Sequence, residues 1–236
     1  MIIKNYLISF LLVWMFSIES SRAQSFYKER IPRNNTISFG LGPSIVYAET
    51  GGQYNRFDFA VRPALSLAFG KKISPLINIQ ATGGIQWIGS GGSPSEDAID
   101  QWLANESAIS FSGQAYYLDL MPVFNFMPFH HHMQRNYINF YGGMGIGLLQ
   151  ANTKRFYSLE ENSAEYIAIF PTAYIPLRAG MSYSIGNLYD ISLEGSLFLT
   201  FTDDLDGNQN WNAFNDHLIQ MQIVFKKYLA AKGSKF

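Results

Sequence analysis

The feature that most constrains the fold of this chain is an alternation of large apolar side chains with small or polar ones. It is clearest between residues 57 and 69. One set of alternate positions holds Phe57, Phe59, Val61, Pro63, Leu65, Leu67 and Phe69, and the other holds Asp58, Ala60, Arg62, Ala64, Ser66 and Ala68. Because successive side chains of a β-strand point to opposite faces, this pattern predicts a strand with one apolar face.

The same alternation recurs in seven further segments, which gives eight predicted strands. The other seven are 36–47, 76–88, 112–126, 137–149, 167–183, 189–201 and 217–228. Each is long enough to cross a bilayer as a tilted strand. Only 15% of the residues are charged and 16% are aromatic, whereas ordinary soluble proteins have about 25% charged residues. We therefore predict an all-β fold, an eight-stranded antiparallel transmembrane β-barrel of outer-membrane type whose large apolar face meets lipid.

An alternative fold is a periplasmic β-sandwich or lipocalin-like barrel, in which the large apolar face would be internal. The connections favour the membrane barrel. Those at 70–75 and 184–187 are short, the one at 127–136 is intermediate, and the others are mostly longer and more polar. Outer-membrane barrels alternate short periplasmic turns with long outer loops. This alternation places both termini in the periplasm.

Two local features qualify the predicted strands and loops. Ser95, Glu96 and Asp97 favour the start of a short helix over 98–104 within a long loop. Prolines within four predicted strands remove a hydrogen-bond donor, so we expect them to mark bulges or ends of pairing. They are Pro43, Pro63, Pro122 and Pro176.

The N-terminus has the pattern of a secretory signal peptide. Lys4 precedes an apolar stretch over 6–18, and Ser21 and Ala23 supply small residues for cleavage after Ala23. We predict a signal peptide at 1–23, a periplasmic tail at 24–35, the barrel at 36–228 and a C-terminal tail at 229–236. The chain is thus expected in the outer membrane. It has no Cys, which excludes disulfides and thiolate zinc sites.

Charged residues on the small-residue face of the strands would point into the lumen. They are Asp58, Arg62, Asp119, Arg178, Asp190 and Glu194. An eight-stranded barrel has a lumen that side chains can fill, and charges inside it must pair. We predict a plug of salt bridges around Arg62 and Arg178. A proton or ion path, or a carboxylate pair for hydrolysis, is the alternative, but hydrolysis would need a route for substrate into the lumen.

Two short motifs suggest metal binding, and neither fits a known pattern. Three adjacent histidines at 130–132 cannot converge on one ion from an extended backbone. The acidic segment 202–208 lacks the full EF-hand spacing, and Ala213 stands where that motif needs a bidentate Glu. We interpret 202–208 as an Asp/Gly/Asn turn, and we expect no metal and no cofactor.

Three classes of function remain open. A phosphate-binding loop, a nucleophile elbow and a Ser/His/Asp order are all missing from the sequence, so we do not expect an enzyme. A small transport channel and a lipid-modifying barrel enzyme are the alternatives to a scaffold or anchor for a protein assembly. The net charge of −1 gives no reason to expect nucleic acid as a partner. Besides membrane lipids, we expect a protein partner at the loops or rims, and the candidate contacts are Trp102, His130, His131, Asp204, Asp206 and Trp211.

Several segments carry a resemblance to a known family. Residues 193–207, with Thr202-Asp203-Asp204-Leu205-Asp206-Gly207, resemble a segment of small Bacteroidetes outer-membrane barrels of the PorG type, although Asp204 stands where that family usually has Tyr. Residues 117–122 and 141–147 also resemble barrels of that phylum. The resemblance implies an outer-membrane scaffold associated with type IX secretion or gliding.

Overall fold

A computed structural model describes residues 33–52, 59–91, 96–105, 107–130, 136–158, 165–208 and 215–229. It contains one helix and nine strands in these ranges. They are β1 (Asn35–Tyr47), β2 (Arg62–Lys72), β3 (Ile77–Gly89), α1 (Glu96–Ala104), β4 (Ser110–Asn125), β5 (Ile138–Met144), β6 (Ile146–Phe156), β7 (Tyr166–Ile185), β8 (Tyr189–Thr200) and β9 (His217–Leu229). The predicted signal peptide and most of the N-terminal tail lie outside the described residues.

The strands form a closed antiparallel ring. Each strand from β1 to β4 pairs with the next, β7 pairs with β8, β8 with β9, and β9 returns to β1. Both β5 and β6 lie between β4 and β7, so together they act as one strand. The ring therefore has eight positions, and the predicted fold class is confirmed.

Gly145 interrupts the strand formed by β5 and β6, beside prolines of both neighbouring strands. On one side, β4 pairs with β6 up to Leu120 and resumes with β5 at Val123, which leaves Pro122 between the two ladders. On the other side, the backbone N–H of Gly145 donates to the carbonyl oxygen of Pro176 at 3.1 Å. Since proline offers no N–H, the ladder breaks here, as expected for strand prolines.

The large apolar side chains point out of the ring. Ile146 and Leu148 are 74% and 69% exposed. The exposed outward set also includes Phe39, Leu67, Leu118, Ile169, Ile223 and Phe225. The alternative fold with an internal apolar face is therefore wrong. A wall of this kind is stable only in an apolar surrounding such as lipid. Among the described residues, no helix is long and apolar enough to cross a membrane.

The two ends of the barrel differ. One end, here called the short-turn end, carries the connections 73–76, 126–137 and 186–188, and Asn35 pairs there with Leu229. The opposite end, the loop end, carries mostly longer connections and α1. The predicted short helix is thus confirmed, with its start at Glu96. Barrels of this type usually turn their short connections to the periplasm, which is the orientation we expect here.

Candidate functional site

Arg178 lies at the centre of the lumen, held there by the alternation of β7. Its Nη2 lies 3.1 Å from Asp119 Oδ2 on β4, and its Nε lies 3.2 Å from Glu194 Oε1 on β8. The guanidinium also donates to Thr82 Oγ1 at 2.9 Å and to Ser196 Oγ at 3.1 Å. Both ion pairs are buried. Because a guanidinium carries five N–H donors, this arrangement satisfies most of its hydrogen-bonding capacity.

Tyrosine hydroxyls complete the hydrogen bonding of the two carboxylates. Tyr174 donates to Asp119 Oδ2 at 2.9 Å, and Tyr141 donates to Glu194 Oε2 at 2.7 Å. A single cation between two carboxylates leaves one negative charge, which these hydroxyl groups stabilise. Charge-assisted hydrogen bonds of this kind are stronger than neutral ones. The lumen centre therefore compensates most of its own charge.

The other residues of the predicted lumen network lie elsewhere. Asp190 is buried near the short-turn end and accepts a hydrogen bond from the Tyr228 hydroxyl at 2.8 Å. Arg62 is exposed and does not join the Arg178 network, contrary to the prediction. It is the first residue of β2, where a long cationic side chain can reach solvent. Asp58 lies outside the described residues.

Three lumen tyrosines each lie opposite a glycine of the adjacent strand. The pairs are Tyr117 with Gly84, Tyr174 with Gly147, and Tyr141 with Gly180. A Cβ atom on Gly147 would lie 2.4 Å from the Tyr174 ring, so only glycine lets the ring lie against the strand. Glycine positions thus allow large rings to fill a narrow lumen.

Apolar and amide side chains continue this filling toward the loop end. The Phe198 ring centre lies 4.9 Å from that of Tyr117 and 4.8 Å from that of Tyr174. Gln220 donates to Gln86 Oε1 at 2.9 Å and accepts from the Tyr117 hydroxyl at 3.2 Å. The buried apolar cluster here comprises Val46, Ala48, Ile88, Phe111, Ala115, Tyr117, Leu149, Ala151, Tyr174, Phe198, Leu205 and Leu218.

Residues 201–208, which follow β8, fold into the loop end of the barrel, and we call this segment the cap. Leu205 is fully buried in the apolar cluster below it. Asn208 accepts from the backbone N–H of Ala108 at 2.8 Å and donates to its carbonyl at 3.1 Å. Gly207 has φ +97° and packs against Arg155 and Ala108, where a side chain would be strained. The cap is therefore bound to the long loop after β3.

Two acidic residues fix the cap to other parts of the loop end. Asp206 is fully buried and accepts from the backbone N–H and hydroxyl of Thr50, at 2.9 and 3.0 Å. It also accepts from the backbone N–H of Asn208 at 3.0 Å. Asp204 forms a 3.1 Å ion pair with Arg155 on β6. The cap thus connects the loop after β1 with β6.

A group of carboxylates lies at one side of the cap. One oxygen from each of Glu49, Asp203 and Asp216 lies within 4.8 Å of the other two. Burial and the charge of Asp206 raise the pKa of Glu49 to about 8 and that of Asp216 to about 9. Burial also raises the pKa of Asp206. Among the described residues, these carboxylates are the ones that could hold a metal, and oxygen ligands suit hard cations.

The structure places the residues expected to contact a partner at opposite ends of the barrel. At the loop end, Trp102, Asp204 and Asp206 are buried. The two aspartates hold the cap to Arg155 and Thr50. At the short-turn end, His130 is exposed, and its carbonyl oxygen accepts from Lys72 Nζ at 3.4 Å. Trp211 and His131 lie outside the described residues.

Sequence reasoning missed several residues of the loop end. They are Glu49, Thr50, Arg155 and Asp216. A strand period gives no information about which loop residues meet, because loop contacts follow from the closure of the ring. Only the concentration of Asp in 203–206 signalled that this segment was unusual.

Comparisons with solved structures agree with the fold. The chain is similar to Neisserial surface protein A, with a TM-score of 0.53, 9% identity, and 83% of this chain and 97% of that chain covered. It is also similar to Ail, the attachment invasion locus protein of Yersinia pestis, in complex with the heparin analogue sucrose octasulfate (TM-score 0.44, 14% identity, coverage 83% and 97%). A third similar structure is the outer membrane protein OprG from Pseudomonas aeruginosa (TM-score 0.42, 10% identity, coverage 85% and 98%).

No protein-family model matches this sequence, and no curated protein matches it. The structural similarities therefore concern the fold, which is that of small eight-stranded outer-membrane β-barrels.

Proposed function

We propose that this chain is an outer-membrane protein that acts as a non-enzymatic anchor or scaffold for a protein assembly. The observation that carries this proposal is the filled lumen. The Arg178 network, the three tyrosines and the apolar cluster under the cap occupy the barrel interior. A barrel of this size, filled with side chains, offers little room for transport. Its exposed ends are then the surfaces available for function.

The absence of an enzyme activity is part of this proposal. The lumen carboxylates Asp119 and Glu194 are both ion-paired with Arg178 and hydrogen-bonded to tyrosines. Neither is left as a free acid or base, which hydrolysis would need within reach of substrate. This supports a structural role for the charges in the lumen.

The partner that we propose is a membrane or periplasmic component of a type IX secretion or gliding assembly. Its support is the resemblance of residues 193–207 to the PorG-type barrels. The structure gives that segment a physical role, because Asp204 and Asp206 fix the cap. We therefore expect the partner to contact exposed side chains instead. His130 at the short-turn end and Gln101 on α1 at the loop end are exposed.

Site-specific photo-crosslinking in cells tests this proposal and locates the contact surface. A photoreactive residue is placed at His130, at Gln101, or at the lipid-facing Leu118, which is the matched control. We expect one protein adduct from the position on the contacting end, identified by mass spectrometry after mild detergent extraction. Leu118 should give no such adduct. Failure of both end positions to give an adduct above the Leu118 background would contradict the scaffold role.

Conductance measurement is the second test, because it separates a scaffold from a channel. The full chain folded into planar bilayers is expected to show no steady conductance with the filled lumen intact. A stable open level in the wild-type protein would favour the channel instead.

A further inference from the structure

Two carboxylates beside the cap, those of Glu49 and Asp216, have buried oxygens that accept no hydrogen bond from the described part of the chain. Asp216 is completely buried, and its Oδ2 accepts from the backbone N–H of Leu205 at 2.8 Å. Its Oδ1 is inaccessible to solvent and accepts no hydrogen bond from any described residue. Both carboxylate oxygens of Glu49 are likewise inaccessible to solvent and accept no hydrogen bond from any described residue. Unpaired buried carboxylate oxygens are costly unless a proton or a cation compensates them.

The charge around these oxygens is predominantly negative. Asp203 and Asp206 face Glu49 and Asp216 and add further negative charge. Among the described residues, the neighbouring cation is Arg155, which already forms its ion pair with Asp204 at 3.1 Å. Four carboxylates thus share one side of the cap with a cation that is engaged elsewhere. A bound cation would supply the missing positive charge.

We propose that Glu49, Asp203 and Asp216 bind a Ca²⁺ ion at the loop end of the barrel, beside the cap. The ligand oxygens of these three residues lie within 4.8 Å of one another. Calcium–oxygen distances are about 2.3–2.6 Å, so two oxygens on opposite sides of one ion are separated by up to about 4.6–5.2 Å. The spacing of the three carboxylates therefore allows them to share one calcium ion.

Calcium fits these residues better than magnesium. Magnesium requires near-ideal octahedral geometry at about 2.0–2.1 Å and usually keeps several waters. Calcium accepts irregular sets of carboxylate and carbonyl oxygens from loops. The ligands come from two separate connections, Glu49 after β1 and the other two between β8 and β9. The ion would join these connections next to the Thr50–Asp206 hydrogen bonds.

Calorimetry on the full chain folded in detergent tests the site. The chelator-treated protein is titrated with CaCl₂ and, separately, with MgCl₂. We expect one calcium ion per chain with a Kd on the order of 10⁻⁴–10⁻³ M, as in extracellular calcium modules, and weaker magnesium binding. Asp216→Asn and Glu49→Gln should each weaken calcium binding at least about tenfold, since each removes a charged ligand. Glu165→Gln is the matched control, because this exposed carboxylate pairs with Lys154 and lies outside the site.

Hydrogen exchange on the wild-type protein gives a readout that does not depend on the variants folding. Calcium should slow exchange of the backbone amides of Thr50 and Leu205, relative to protein in chelator, by about tenfold for each 1.4 kcal/mol of added stability. The proposal is overturned if the wild-type protein binds no calcium, if Asp216→Asn binds calcium as tightly as Glu165→Gln, or if calcium leaves both amides unprotected.

Discussion

The lumen centre and the loop end both place charged groups inside the barrel, but they compensate that charge differently. In the lumen, Arg178 lies between Asp119 and Glu194, and tyrosine hydroxyls bind the remaining oxygens. At the loop end, Glu49 and Asp216 keep oxygens without a described partner. Rigid neighbouring strands can thus compensate charge by themselves, whereas joined loops can leave a charge for a ligand to balance.

Removal of the lumen cation should give the largest effect. Arg178→Met leaves two buried carboxylates without their counter-ion, and breaking a buried pair in this way costs about 3–5 kcal/mol. We expect a lower denaturant midpoint, measured from the heat-modifiable mobility of the folded barrel. Adding Asp119→Asn and Glu194→Gln removes the uncompensated charges and should recover part of that loss. If the free energy of unfolding of Arg178→Met alone lies within about 1 kcal/mol of the wild-type value, Arg178 does not compensate this charge.

Loss of a neutral bridge at the cap should have a smaller and local effect. Asn208→Ala removes both hydrogen bonds to Ala108 and leaves a buried N–H and carbonyl unsatisfied, at a cost of about 1–3 kcal/mol. Exchange of the Ala108 amide should accelerate while the strands stay protected. The exposed Asn105→Ala is the control, and equal acceleration in both variants would argue against the bridge.

The pH dependence of the cap distinguishes the two regions further. Because the folded pKa values of Glu49 and Asp216 are raised to about 8 and about 9, the closed cap retains protons that the open state releases near pH 4. In chelator, the cap should therefore lose stability as the pH rises from about 4 to 9, by about tenfold in exchange rate per pKa unit of effective shift. Asp203, Asp206 and Arg155 face the same groups.

Exchange rates of the cap amides, corrected for intrinsic pH dependence, measure this effect at pH 6 and 8.5. Saturating calcium should suppress the loss, since the ion replaces the protons. Protection that increases with pH in chelator would contradict the assigned sign.

The exposed ion pair at the loop end should give the smallest effect. Lys154 Nζ lies 2.7 Å from Glu165 Oε2, and the two side chains are 52% and 48% exposed. Pairs in water contribute only about 0–1 kcal/mol. Lys154→Ala should leave the denaturant midpoint nearly unchanged. A loss of stability as large as that of Asn208→Ala would show that solvent exposure does not make this ion pair weaker than the buried hydrogen bonds of Asn208.

The barrel wall could be predicted from the sequence because strand alternation is local. Arg178 was expected to point into the lumen and the large apolar residues of its strand outward. Arg178 is buried, whereas Ile167 and Ile169 are exposed. The alternation missed the interruption at Gly145, which depends on prolines in two neighbouring strands. The alternation also gave the wrong location for the Arg62 side chain. Arg62 begins β2 at the rim of the barrel, where a side chain can reach solvent even if its position belongs to the inward face.

The loop end could not be predicted in the same way. Thr50 and Asp206 are 156 positions apart, and their hydrogen bonds exist only because the ring brings the two connections together. The EF-hand pattern is defined within one contiguous segment, such as 202–208. The ligands that we propose come partly from another connection, at Glu49, so a motif defined by spacing within one loop could not include them.

The pairing of β1 with β9 also sets an order of events during assembly. Until the last strand arrives, β1 has an unpaired edge, which is a site for wrong pairing. The hydrogen bonds from Ser66 to Gln222 and from Thr50 to Asp206 each span 156 positions. They require the final hairpin, which β8 and β9 form. Folding of the cap into the loop end of the barrel is therefore a late event in assembly. A protected Thr50 amide would report that a newly inserted molecule has completed its assembly.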